Sequence, residues 1–200
     1  MQHTAILLAA GYSSRMGDLK ALLPWEGLTL LEFQVRELLK TSIDNIIVVV
    51  GYKADSIQRV IDHYPVQIIF NPAYAFGKTT SIKAGIQHWT DSGSYLIVSV
   101  DNPVDPNIIQ NMLDLLEHTK SKIVIPVYSG KRGHPILLEG SLKNDILSIT
   151  EEKFGLKELL RKYQSSTCEF QVDKESVLYN FNTKKEYLTI KDKFERRQQT

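Results

Sequence analysis

Arg15 and Lys20 close a stretch in which most neighbouring side chains are small, and that pairing of cations with bare backbone is the chain's sharpest chemical signal. In residues 4–20, TAILLAAGYSSRMGDLK, an apolar run over 5–9 stops at Gly11 and opens into a loop carrying Ser13, Ser14 and Gly17. Residues without bulky side chains let backbone N–H groups approach an anion, and the two cations add full charge to those dipoles. Arg15 is built to fork onto two phosphate oxygens, whereas Lys20 acts as a point charge on a flexible stem. Taken alone, the loop reads equally as a phosphate cradle or as solvated charge on a Gly/Ser turn. Its position favours the cradle, because it follows the first strand of an alternating β/α chain, where ligands gather at the carboxyl ends of strands.

A carboxylate is the natural counterpart to such a cradle. Residues 95–100 read as a buried strand that runs directly into Asp101-Asn102-Pro103-Val104-Asp105-Pro106. A carboxylate at the tip of a central strand is costly to desolvate unless something positive sits against it, and Mg²⁺ meets that need where phosphates are near. Asp101 is therefore the first candidate metal ligand, with helix capping as its alternative; Asp105, beside a helix that begins near Asn107, reads better as the cap. Asn180 and Asn182 fall on one face if their segment is extended, each offering an amide oxygen, although an Asn before a helix also serves as a cap. Lys131, Arg132 and His134 flank a hairpin turn within 128–138, where they meet an anion or remain solvated charges at a tip.

The elements that must position these groups follow from local pattern. Thr29 and Glu32 form a capping box for an amphipathic helix through Lys40. The β-branched run 46–50 suits a strand covered on both faces, and a helix over 55–63 and a strand over 66–70 complete a second β/α round. Pro72 and Gly77 make 71–78 a loop, after which Thr79 or Thr80 caps a helix reaching Trp89. The pattern then predicts a helix over 107–118, a strand over 123–127, the hairpin with its turn around 130–133, and helix over 141–163. Phe170, Val172, Val177 and Leu178 suggest strand, and a closing helix over 184–190 precedes a charged, frayed tail, 191–200. The whole reads as one α/β domain, residues 1–190, with a three-layer α/β/α Rossmann-like architecture, a mostly parallel sheet and a β-hairpin excursion toward the C-terminus.

The totals narrow the classes of partner. With 200 residues, 42% hydrophobic and 24% charged, the chain has the composition of a soluble globular domain. A net charge of +1 argues against non-specific nucleic-acid binding and leaves room for a local basic pocket. Cys168 is the single cysteine, which excludes an internal disulfide. With no run long enough to span a bilayer and no leader pattern, a cytoplasmic location is expected, with no membrane partner.

The string LLAAGYSSRMGDLKALLP, followed in order by NPAYAFGKTTSIKAG, DNP, RGHPILL and NFNTKKEYL, resembles the molybdenum cofactor nucleotidyltransferase family across nearly the whole chain. The resemblance implies a Mg²⁺-dependent enzyme that transfers a nucleoside monophosphate to the terminal phosphate of a molybdopterin-type acceptor and releases pyrophosphate. It implies Arg15, Lys20 and Asp101 as catalytic residues and Leu8, Ala9, Ala10, Gly11, Ser13, Asn71, Gly77 and Ser81 as further nucleotide contacts. By the same resemblance Asn182, then Asn180, join Asp101 at the metal, and Gly133, His134 and Pro135 line the acceptor pocket. Ala10 is similar to the cytidylyl-transferring branch, so CTP is favoured over GTP. Asn102 departs from the common Asp-Met-Pro pattern, which puts the local polarity in question. The expected partners are the triphosphate, the pterin and, transiently, a molybdenum enzyme, with the chain a monomer or weak dimer. Two rivals stay open: a sugar- or polyol-phosphate nucleotidyltransferase, and a non-catalytic nucleotide-binding chaperone of a molybdenum hydroxylase.

Overall fold

The computed structural model describes residues 1–88 and 93–197. In chain order its strands and helices are β1 His3–Ala9, β2 Pro24–Trp25, β3 Leu28–Thr29, α1 Leu30–Leu38, β4 Asn45–Val50, α2 Ala54–Ile61, β5 Gln67–Phe70, α3 Lys78–Gln87 and β6 Ser94–Ser99. There follow α4 Pro106–His118, β7 Ile123–Tyr128, β8 Lys131–Arg132, β9 Ile136–Glu139, α5 Lys143–Ser148, α6 Leu156–Lys162, β10 Thr167–Gln171 and α7 Lys184–Arg197. Trp89, the expected end of α3, lies outside the described residues.

The uninterrupted apolar runs become central strands because both of their faces are covered. Every residue of β1 and of β6 is buried. The sheet runs β10-β7-β9-β6-β1-β4-β5, with β8 pairing β7 off this path. β1 pairs in parallel with both β4 and β6, β4 with β5, and β7 with β10, while β9 is antiparallel to both β6 and β7. Alternate residues feed two cores: Ala5, Leu7 and Ala9 face α1, α2, α4 and α7, whereas Ile6 and Leu8 face α3, α5 and α6. The result is the expected three-layer α/β architecture with a mostly parallel sheet.

Several local expectations hold. Thr29 and Glu32 close a full capping box at α1, and Asp105 accepts from the Asn107 and Ile108 amides at the head of α4. Others give way to tertiary constraints. Neither Thr79 nor Thr80 caps α3; its N-cap is Gly77, and the Glu151 carboxylate comes from a distant loop to accept the Thr79 N–H at 2.7 Å. Serving that cap breaks the expected helix over 141–163 into α5 and α6, with Phe154 and Gly155 between them at positive φ. The hairpin turn sits earlier than expected, at Ser129 and Gly130, both at positive φ, and residues 133–135 interrupt the returning arm between β8 and β9. Val177 and Leu178 lie in a 3₁₀ turn, Glu175–Leu178, rather than in a strand. The closing helix runs beyond the expected end at residue 190: α7 continues to Arg197, and Phe194 packs against Trp25 and Phe33 at ring-centroid distances of 5.1 and 5.6 Å. Among the described residues no helix is long and apolar enough to cross a membrane.

Candidate active site

β1, β4, β5 and β6 are mutually parallel, so the loops after them open on one edge of the sheet. The chain builds outward from β1 through β4 to β5, then returns to place β6 on the other side of β1. That reversal leaves a crevice at the ends of β1 and β6, the place where open α/β sheets bind ligands. A cavity of about 410 Å³ lies there.

The loop after β1 is held at both ends. The Ala10 carbonyl accepts the Tyr52 N–H at 3.1 Å, and Met16, 6% exposed, plugs into the core below. Ser13 adopts a left-handed conformation with φ of 53° and uses its hydroxyl to accept the Lys20 N–H at 3.1 Å. The turn thereby folds back on itself and sends the Lys20 side chain across the crevice. Its ammonium donates to Asp101 Oδ2 at 2.6 Å and to Asn182 Oδ1 at 3.0 Å, and Arg15 Nη2 reaches the same Asn182 oxygen at 3.4 Å. Four side chains from three separate stretches of the chain meet at one point.

Asp101 is placed by groups that local pattern did not reveal. Gln34 of α1, fully buried, donates to the Asn102 carbonyl at 2.7 Å and the Val100 carbonyl at 3.2 Å and accepts from the Val104 N–H at 3.0 Å. The Asn102 amide donates to the Tyr179 carbonyl at 2.5 Å, tying the β6 loop to the segment that carries Asn182. The unusual polarity of Asn102 therefore has a structural use. Thr183 and Glu186 satisfy the start of α7: Glu186 Oε2 accepts from the Asn182 and Thr183 amides, and Thr183 Oγ1 accepts from Glu186 N. That capping leaves the Asn182 side chain available to the crevice.

The other expected contacts divide. Leu8, Ala9, Ala10, Gly11 and Ser13 line the cavity, as do Gly77 and Ser81. Asn71 does not; it is 3% exposed, and its amide is spent on Thr80 Oγ1, Ser81 Oγ and the Ala73 N–H, so it shapes the loop from behind. Asn180 also stands outside the lining, at the limit of a hydrogen bond from Asn182 Nδ2, 3.5 Å. Asp105 is turned away, capping α4 and pairing with Lys174 at 2.5 Å.

A second cavity, of about 530 Å³, opens on the β9 side of the crevice and is lined by Gly133, His134, Arg132 and the apolar floor of Ile82, Ile125 and Ile136. Pro135 is buried but does not line it. Gly133 is demanded by close packing, since a Cβ there would lie 2.7 Å from Val177. Burial, reinforced by nearby Lys78, lowers the His134 pKa to about 4 against the pull of Asp101, so the imidazole is neutral at pH 7. Lys78 lines both cavities, and its ammonium donates to Ser99 Oγ at 2.5 Å. Withdrawal from water holds its pKa below the ordinary lysine value, opposed by Asp101 and Glu151. Sequence reading missed Lys78 as a site residue; its one available signal was a cation directly after Gly77 at the end of a cavity loop.

The donor set suits Mg²⁺. Asp101 Oδ2 and Asn182 Oδ1 converge on a single cationic centre, the Lys20 ammonium, so both oxygens already face a positive charge. Among the described residues no group of three or more His, Cys, Asp or Glu side chains is assembled to hold a metal. Mg²⁺ does not need one, because it takes one or two carboxylates and completes its shell with water and substrate phosphates.

Comparison with known proteins gives this geometry a context. The chain is 26% identical over 193 residues to the molybdenum cofactor cytidylyltransferase of Escherichia coli, covering 94% of this chain and 95% of that one. It is 31% identical over 198 residues to a probable molybdenum cofactor guanylyltransferase of Bacillus cereus, covering 93% and 94%. It is 27% identical over 168 residues to a nicotine blue oxidoreductase of Paenarthrobacter nicotinovorans, covering 80% and 81%. The fold superposes on a nucleotidyl transferase from Methanothermobacter with a TM-score of 0.84 at 23% identity, covering 98% and 99% of the two chains. The family profile of the MobA-like NTP transferase domain matches residues 5–167. The chain belongs to that family and is a nucleotidyltransferase.

Proposed function

We propose that the chain transfers a nucleoside monophosphate, CMP from CTP in the first instance, to the terminal phosphate of a molybdopterin-type acceptor. The observation that carries this reading is the meeting of Arg15, Lys20, Asp101 and Asn182 in one cavity that shares Lys78 with a second. Two adjoining cavities with a cation on their common wall suit a reaction between two anionic substrates. An oxygen of the acceptor phosphate attacks the α-phosphorus of the triphosphate, the bond from that phosphorus to the β-bridging oxygen breaks, and pyrophosphate leaves. A phosphate monoester is a competent nucleophile at neutral pH, so the protein's task is positioning and charge neutralisation.

Arg15 and Lys20 offset charge on the triphosphate as the leaving group forms, and Lys78 stands where the attacking phosphate must approach. Asp101 and Asn182 would hold Mg²⁺, which when bound supplies further neutralisation of phosphate charge. Neutral His134 contributes hydrogen bonding rather than charge to the acceptor side, and Arg132, at that rim, has its guanidinium paired with Glu169, Nε to Oε1 at 2.6 Å. Ala10, through its likeness to the cytidylyl-transferring branch, is the support for CTP over GTP.

Pyrophosphate release measured with each of the four nucleotides and the pterin acceptor tests the proposal. Release that requires the pterin and is fastest with CTP is expected. Release with a sugar phosphate in place of the pterin would move the acceptor assignment, and nucleotide binding without any release would leave a carrier rather than an enzyme.

A further inference from the structure

Three tyrosines cluster beside the first cavity, and the phosphate chemistry has no use for them. Tyr12 comes from the loop after β1, Tyr52 follows β4, and Tyr74 belongs to the turn after β5. The Tyr12 ring lies 5.1 Å from Tyr52 and 5.2 Å from Tyr74 between centroids, tilted by 45° and 59°. Lys53 Nζ lies 5.5 Å from the Tyr52 ring centroid, while Tyr12 and Tyr74 line the cavity that holds Arg15 and Lys20. Tyr12 remains 48% exposed.

The cluster is built into the backbone. A Cβ at Gly51 would lie 2.7 Å from Tyr74 Cβ and Cγ and 2.8 Å from the Ala10 carbonyl oxygen, so only glycine lets the root of Tyr74 and the β1 loop close on β4. Tyr52 N–H holds that same Ala10 carbonyl at 3.1 Å, and Tyr74 N–H donates to the Asn71 carbonyl at 3.3 Å. The aromatic side of the cavity lies over β4 and β5, and Asp101 lies on the opposite side, over β6. Aromatic rings lining one end of a cavity whose other end is cationic match a ligand that is planar at one end and anionic at the other.

We propose that Tyr12 and Tyr74, seated by Gly51 and Tyr52, form the surface on which the nucleotide base stacks, so that the nucleotide lies across the end of β1 with its phosphates toward Arg15, Lys20 and Asp101. The inference rests on the nucleotidyl-transfer reading and adds the base end of the site. Every base has a π-face, so the platform supplies affinity common to all nucleotides and leaves the choice among them to polar groups.

Calorimetric titration of the full chain with CTP, GTP and inorganic tripolyphosphate, each with Mg²⁺, tests it on wild type, Tyr12→Ala, Tyr74→Ala and Tyr74→Phe. Base–aromatic stacking of roughly 1–3 kcal/mol corresponds to about 5- to 150-fold in affinity. We expect each alanine variant to weaken CTP and GTP about tenfold and to leave tripolyphosphate unchanged, with Tyr74→Phe close to wild type. Tyr12 is exposed enough that its truncation leaves the fold intact, and it decides the matter alone if Tyr74→Ala does not fold. Equal losses for nucleotide and tripolyphosphate, or unchanged nucleotide binding, overturn the platform. Wild-type protein that binds tripolyphosphate as tightly as CTP overturns the platform and spares the phosphate cradle; binding of neither overturns both.

Discussion

Lys20→Met removes the ammonium at the centre of the candidate site while keeping most of the stem that carries it. In the folded protein that ammonium donates to Asp101 at 2.6 Å and to Asn182 at 3.0 Å, and the Lys20 and Asp101 side chains are 12% and 19% exposed. Its loss has two separable consequences. The Asp101 carboxylate is left without its cation, which costs about 1–3 kcal/mol for a group cut off from water and falls to the lower end here because Asp101 keeps some solvent. At about 1 kcal/mol, a domain of this size should melt roughly 2–4 °C lower. The kinetic effect should be far larger if the proposed reaction holds, because it makes Lys20 a donor fixed in advance where charge develops. Loss of one such donor costs about 10²–10³ in kcat, or roughly 2.7–4 kcal/mol of barrier. Steady-state pyrophosphate release at saturating nucleotide, read beside a thermal melt, separates the two. A folded variant with wild-type kcat would refute the assignment of Lys20 to the reaction, whatever the melt shows.

Three further outcomes follow from the same geometry. Asp101→Asn keeps an oxygen to accept from Lys20 but loses the carboxylate, so pyrophosphate release should require more Mg²⁺; a titration curve superimposable on wild type counts against metal ligation there. Gln34→Ala strips partners from the Val100 and Asn102 carbonyls and the Val104 N–H, and should cost about 3 kcal/mol in denaturant unfolding and lower kcat without touching the cavity; unchanged stability sinks this positioning role. His134, with its pKa depressed to about 4 from an ordinary 6.5, is protonated first in the unfolded chain, so its share of stability is complete above pH 6.5 and is lost as pH falls toward 4. Wild type should therefore lose up to about 3 kcal/mol relative to His134→Asn over that window, and a difference that stays constant with pH would show that burial of the imidazole has no such cost.

What the sequence disclosed, and what it concealed, divides by the range of the interaction responsible. β1, β4 and β6 were legible because a buried parallel strand is a short apolar run, and the α1 cap because Thr29 and Glu32 lie within one turn of each other. The break between α5 and α6 was hidden because Glu151 is drawn to the Thr79 N–H from far along the chain. Val177 looks like strand material, yet its carbonyl accepts the His134 N–H at 2.8 Å and its side chain fills the space left by Gly133, both contacts made to the hairpin from far along the chain. Phe194 is hidden among charged neighbours, although Tyr187, Ile190 and Phe194 recur at helical spacing and all pack on the core that contains Trp25. In the site, Lys20 and Asp101 were readable as types, whereas Gln34 looks like any polar helix residue until the turn it holds is seen.

The charge balance of the crevice explains why an amide serves at position 182. Among the described residues lining the first cavity the charged side chains are Arg15, Lys20, Lys78 and Asp101, a surplus of two positive charges. That surplus, counted after Asp101, offsets part of the charge of a triphosphate in that space. A second carboxylate at 182 would claim Lys20 and Arg15 for itself, since both already reach Asn182 Oδ1 at 3.0 and 3.4 Å. Asn182 supplies an oxygen at the same place without spending a positive charge, so on the proposed reading the cations stay free for phosphate and Asp101, the one full negative charge in that lining, would hold the divalent ion.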